Sequence, residues 1–165
     1  MVSRAGAATF DAFVHARTPA LARTAYLLTG DAHLAEDLVQ SALFKAAQVW
    51  PRIEASPEAY VRRILYTQNV SWWRRRRITE TSLEGYADRP AAVSDRDLRL
   101  SLEAALARLT TRQRTVLVLR FFEDLTEVQT ADVLGIGSGT VKSITRQALA
   151  RLAALAPHLR ELIHD

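Results

Sequence analysis

The chain has no cysteine, which excludes disulfides, thiolate zinc sites and cysteine nucleophiles. Long apolar runs are missing too. No stretch of about 18 apolar residues is present to span a bilayer, and the opening MVSRAGAATFDAF lacks the apolar core of a secretory signal. These absences predict a cytoplasmic protein with no membrane-inserted segment. Histidine is sparse: His15, His33, His158 and His164 form no zinc-ligand pattern, and no serine sits in a G-x-S-x-G elbow. The sequence therefore predicts no metal, no cofactor and no catalytic residue. Lysine occurs only at Lys45 and Lys142, so the positive charge is almost all arginine, the better fork for phosphate. Glycine is scarce as well, with 6 in 165 residues, yet Gly135, Gly137 and Gly139 crowd into one short stretch.

What is present is a globular composition, 48% hydrophobic and 24% charged, with a net charge of +4. A chain of 165 residues accommodates one ordinary domain or two small ones. Helical periodicity runs through it, and no segment alternates with a strand's period of two over a useful length. The expected fold is all-α. A first helix over about 9–28, interrupted or bent near Pro19, stops at Gly30, and Asp31 then caps a second helix that Pro51 ends. Ser56 as cap and Pro57 at the first helical position open a third helix, which carries Trp72, Trp73 and the arginine block 74–77. Residues 79–94, TETSLEGYADRPAAVS, have no helical stripe and read as a linker.

A second helical group follows. Thr110 with Gln113, and Thr126 with Gln129, have capping-box spacing. Counting from Glu127, Ala131 is fifth, Leu134 eighth, Gly135 ninth, Ile136 tenth, Val141 fifteenth and Ile144 eighteenth. That is helix-turn-helix spacing: a small residue where helices cross, glycine for a left-handed turn, and aliphatic residues for a shared core. Gly135 is thus a turn residue and not a nucleotide loop. Gly137 and Gly139 are read as keeping the start of the second helix bare for a DNA phosphate, the alternative being a merely lengthened loop. The helix over about 138–155 would then offer Ser138, Thr140, Lys142, Ser143, Thr145 and Arg146 to a major groove. Thr130 stands where a larger aliphatic residue is usual, which predicts looser packing of the first helix.

These motifs resemble a known family. The stretch LTTRQRTVLVLRFFEDLTEVQTADVLGIGSGTVKSITRQALARL resembles region 4 of bacterial sigma factors, and AEDLVQSALFKAAQVW with YVRRILYTQNVSWWRRRR resembles region 2. The short length resembles the extracytoplasmic-function group of the sigma-70 family, and VSWWRRRR and GTVKS resemble its SigE-like actinobacterial subgroup. The resemblance implies two small helical domains, region 2 over 1–78 and region 4 over 98–165, joined by a flexible linker over 79–97. It implies a protein that binds core RNA polymerase, directs it to promoters and melts them, and that is not an enzyme. Glu36, Asp37, Leu38, Gln40 and Ser41 would dock on the polymerase. Arg63, Asn69, Trp72, Trp73, Arg74, Arg75 and Arg76 would meet the minus-10 element, with a flipped base received by the loop over 51–56. The six residues of the last helix would meet the minus-35 element. Glu80, Glu84 and Asp88 in the linker would mimic the charge of RNA. Free, the protein is expected to be a monomer, with control by an anti-sigma factor as a further implied partnership. The competing reading, a stand-alone helix-turn-helix transcriptional regulator, explains the second lobe but leaves the first without a role.

Overall fold

The computed structural model describes the backbone of residues 4–54, 56–79 and 98–157, and side chains within 9–75 (except 55) and 102–157. The expected linker, with Glu80, Glu84 and Asp88, lies outside the described residues, as do the side chains of Arg76 and Arg77. The described residues are helical and contain no strand. They divide into two compact units, the division falling between Trp72 and Trp73.

The first unit is built on long helices. Helix α1 spans Arg4–Thr29, longer than the expected 9–28 and continuous through Pro19. Beside the proline, the Thr18 hydroxyl donates back to the Val14 carbonyl. Gly30 ends the helix with a left-handed φ of 68°, and the Asp31 side chain accepts from the Leu34 amide at 3.0 Å to start α2, Ala32–Val49. A single 3-10 turn at Trp50–Arg52 follows, with Pro51 in it. Helix α3 runs Pro57–Thr79, with the Ser56 hydroxyl accepting from the Ala59 amide at 3.3 Å. The core of this unit is Leu21, Ala25 and Leu28 of α1, Leu38 and Ala42 of α2, and Val61 and Leu65 of α3, all fully buried. Trp50 closes one end, with the rings of Phe10 and Phe13 each 5.1 Å from its own.

Buried polar groups of this unit are partnered. Arg62 of α3 donates to the Thr24 hydroxyl of α1 at 2.9 Å and to Glu58 at 3.1 Å, and Lys45 of α2 donates to Gln68 of α3.

The second unit uses shorter pieces with explicit punctuation. Helices α4 (Leu98–Ala107), α5 (Thr111–Leu117), α6 (Glu127–Leu134) and α7 (Ser138–Leu155) pack around α7, which touches the other three. Both predicted capping boxes form, Thr110 with Gln113 and Thr126 with Gln129. The apolar pattern of RTVLVLRFFEDL predicts one continuous helix; the chain instead widens after α5 into a π-helical turn at Val118–Phe122. Asp124 then adopts a left-handed φ of 56°, a conformation aspartate tolerates better than most residues. The turn lets the Leu125 amide reach back to the Leu119 carbonyl at 2.9 Å. Arg114 is buried in this unit, and desolvation holds its guanidinium below the ordinary arginine pKa.

Candidate nucleic-acid interface

Helix α7 has two unlike faces. Val141, Ile144, Ala148 and Leu152 are buried, following the three-to-four-residue period of a core stripe. Ser138, Thr140, Lys142, Ser143 and Arg146 are exposed on the other side, and Thr145 is half-buried with its hydroxyl donating to the Val141 carbonyl at 2.7 Å. The turn before α7 is as the spacing predicts: Gly135 closes α6 at φ 66° and ψ 37°, and its Ile136 neighbour donates to the Ala131 carbonyl at 3.1 Å.

The start of α7 is bare. Gly137 is the cap and supplies no side-chain hydrogen bond. A Cβ on Gly139 would meet nothing within 4 Å, and one on Gly137 would meet only the Thr140 hydroxyl at 3.8 Å. The protein itself thus requires no glycine at either place, and open space at an uncapped, partially positive helix start suits close approach of a phosphate. Thr130 is fully buried, and among the described residues its hydroxyl has no hydrogen-bond partner.

In the first unit, Glu36, Asp37 and Gln40 are exposed along α2 and Ser41 is half-buried. Leu38 departs from the expected docking set: it is fully buried, because each residue turns the helix by about 100° and so points it away from both Asp37 and Gln40 into the bundle. Asn69 is a second correction. The resemblance sets it with Arg63 at the minus-10 element, but it is 4% exposed whereas Arg63 is exposed. A separation of six residues turns about 240° past a full circle, so the two do not share a face. Trp72 and Trp73 are both half-buried, and Arg74 and Arg75 are exposed.

Three features are not anticipated by the sequence. Phe44, 67% exposed, continues the Asp37–Gln40 stripe of α2 by one turn. Tyr60 and Thr67 flank Arg63 on the exposed face of α3, at a spacing of three and four residues that simple counting finds. Between the end of α2 and the start of α3 lies a cleft of about 460 Å3, lined by Val49, Arg52, Ile53, Glu54, Ser56, Ala59, Tyr60 and Arg63. It falls at the loop expected to receive a flipped base.

Comparison with known proteins agrees with both units. Residues 13–78 match the family model for sigma-70 region 2, and residues 105–154 match that for sigma-70 region 4. The RNA polymerase sigma-E factor of Streptomyces coelicolor is 37% identical over 147 residues, covering 87% of this chain and 83% of that protein. The chain belongs to the sigma-70 family, in its extracytoplasmic-function group. A second relative, the ECF RNA polymerase sigma factor SigL of Mycobacterium tuberculosis, is 32% identical over 158 residues and is covered to 89%, with 90% of this chain aligned. Among solved structures, the sigma factor RpoE in complex with the anti-sigma factor NepR from Bartonella quintana is similar, with a TM-score of 0.64 and 29% identity over 90% of this chain and 97% of that one. As a sigma factor, the protein directs core RNA polymerase to promoters and initiates transcription there. The regulator reading fails on the first unit, which is region 2 and not a ligand-sensing domain. Among the described residues no helix is long and apolar enough to cross a membrane.

Proposed function

We propose that the two units divide promoter recognition as follows. The exposed face of α7, through Ser138, Thr140, Lys142, Ser143, Thr145 and Arg146, reads the minus-35 element in the major groove, with amides at the bare helix start on a phosphate. The first unit holds the polymerase through Glu36, Asp37, Gln40 and Ser41 of α2, while Arg63, Trp72, Trp73, Arg74, Arg75 and Arg76 of α3 hold the melted minus-10 strand. Functional boundaries at 1–78, 79–97 and 98–165 keep the whole arginine block with minus-10 recognition. The protein acts in the cytoplasm, turns over no substrate, is monomeric when free, and is controlled by an anti-sigma factor, a partnership that the Bartonella relative's complex supports for the family.

The magnitudes are compatible with opening without hydrolysis. Losing one stacked step of duplex costs about 1.4 kcal/mol on average, and a base stacked on an aromatic side chain gains about 1 to 3 kcal/mol. Two captured bases therefore offset roughly the same number of opened steps, and arginine contacts to phosphate add to that. The observation that carries the reading is the two-faced α7 with its uncapped start, because burial has already assigned Val141 and Ile144 to the core and left the polar residues outward.

The test is run-off transcription from genomic promoter fragments with core polymerase. New start sites are expected only when the protein is added. Replacing Lys142 and Arg146 together with alanine should abolish them while leaving binding to core polymerase unchanged. Starts that persist with that double variant would remove α7 from promoter recognition.

A further inference from the structure

A guanidinium stays protonated in proteins, so the arginines that carry most of this chain's positive charge offer no nitrogen lone pair to an acylating agent. A lysine amine does, once it loses its proton. Only Lys45 and Lys142 carry one, and their surroundings differ. The Lys45 amine donates to the Gln68 side chain of α3, which is itself buried, so attack by that nitrogen requires breaking the bond first. Lys142 stands exposed on α7. Among the described residues it has no hydrogen-bond or ion-pair partner, and neither has Arg146, exposed one turn further along the same face. Positions four apart on a helix bring their Cβ atoms to about 5 to 6 Å. Helix α7, SGTVKSITRQALARLAAL, contains no carboxylate, so this pair of cations has no counter-charge on its own helix.

We propose that Lys142 is an acylation site, that its donor is a small acyl phosphate held by Arg146, and that acylation shuts the exposed face of α7. The site stands on the geometry of α7; its consequence rests on the minus-35 reading. An acyl phosphate joins an anionic head to an activated carbonyl. The guanidinium fork of Arg146 suits the phosphate oxygens, which sets the carbonyl carbon within reach of the Lys142 amine. After the ammonium gives a proton to solvent, the Nζ lone pair attacks that carbon. The C–N bond forms, the C–O bond to phosphate breaks, and inorganic phosphate leaves with the electron pair. The amide that remains has no positive charge and one N–H donor where lysine had three. It also adds bulk where DNA must approach. Arginine at nearly every other basic position thus confines this chemistry to the helix that reads DNA.

The full chain is incubated with acetyl phosphate, and acetylation at each lysine is followed by peptide mass spectrometry. Lys142 should react about fivefold or more faster than Lys45, the scale of breaking one hydrogen bond. Arg146→Ala should slow the reaction at Lys142 about threefold, the scale of an exposed charge contact. The same variant should leave unchanged the rate with a neutral active ester, N-hydroxysuccinimidyl acetate. Both positions are exposed, so the variants should retain the wild-type helical circular dichroism. The acetylated protein is then freed of reagent, assembled with core polymerase and titrated with promoter DNA carrying the minus-35 duplex. Affinity should fall about tenfold, the scale of one lost side-chain contact, whereas Lys142→Arg protein given the same treatment should keep its affinity. Equal rates at the two lysines, or an acetyl phosphate rate that Arg146→Ala leaves unmoved, overturns the site. Full acetylation of Lys142 with undiminished affinity overturns the shut-off. The unmodified double variant, Lys142→Ala with Arg146→Ala, tells that failure from a deeper one: if it too keeps wild-type affinity, the minus-35 reading itself fails, and the shut-off with it.

Discussion

The two units meet the same requirement, a stable small helical body, by different means. The first relies on length and burial: three long helices, fully buried core side chains from each of them, and buried polar groups met from another helix, as Arg62 reaches Thr24 and Lys45 reaches Gln68. The second relies on local backbone devices. Two capping boxes, a left-handed glycine, a π-helical turn and a left-handed Asp124 set three short helices and the 18-residue α7 at their angles. Its interior is less complete, because both buried side-chain atoms without partners among the described residues, Thr130 Oγ1 and Arg120 Nε, belong to it. The comparison shows where surface is spent. A bundle stabilised by its interior leaves long exposed stripes for docking, whereas a unit fixed by its turns presents one accurately angled helix.

The largest effect should come from cutting the interior of the first unit. Leu38→Ala removes a fully buried side chain, and such truncations cost about 2 to 5 kcal/mol. Urea unfolding followed through Trp50, with Trp72 and Trp73 replaced by phenylalanine, should show the first unit's midpoint falling sharply. Gln40→Ala, one exposed position on the same helix, should leave that midpoint in place and weaken binding to core polymerase. Equal midpoints for the two variants would mean that Leu38 is not core.

That contrast also marks what the sequence can convey. The devices of the second unit are legible residue by residue, since a capping box or a left-handed glycine is written in a few adjacent positions. Thr110, Thr126 and Gly135 do what their spacing predicts. Burial in the first unit is less legible. The resemblance groups Leu38 with its polar neighbours, whereas its helical spacing with Leu34 and Ala42 already reads it inward. Asn69 falls on the same helix as Arg63, yet six residues is the wrong interval for a shared face. The cleft at Glu54 is legible only as a loop, because its walls come from the ends of two helices and a 3-10 turn, and nothing in a linear pattern reports a cavity. The π-helical turn has no signal, for RTVLVLRFF has the apolar content of an uninterrupted helix.

A smaller effect should come from completing the second unit's interior. The Thr130 hydroxyl is fully buried without a partner among the described residues, and leaving a polar group so costs about 1 to 3 kcal/mol. Thr130→Val keeps the branched shape and removes the oxygen. The second unit should gain roughly 1 kcal/mol, the lower end of that range because the added methyl must find room. Calorimetry of the full chain should show one transition moving up and the other unmoved. A loss of stability would mean that the hydroxyl is satisfied by a buried water, and the two interiors would then be alike.

The smallest effect on stability, yet the sharpest on function, should appear at Gly139. Gly135, at φ 66°, is needed by the fold. Gly139 lies in the first turn of α7 with no atom within 4 Å of where a Cβ would stand. For the isolated protein alanine is therefore the better residue there, and Gly139→Ala should raise stability by about 0.5 to 1 kcal/mol, the usual gain inside a helix. If the open space exists for a phosphate, the same methyl group stands where the DNA backbone must come. Affinity for minus-35 duplex should then fall severalfold, the reverse of the stability change. Stability and affinity measured on this one variant separate the two accounts of the glycine, since a spacer that merely lengthens a loop gives no reason for them to move in opposite directions.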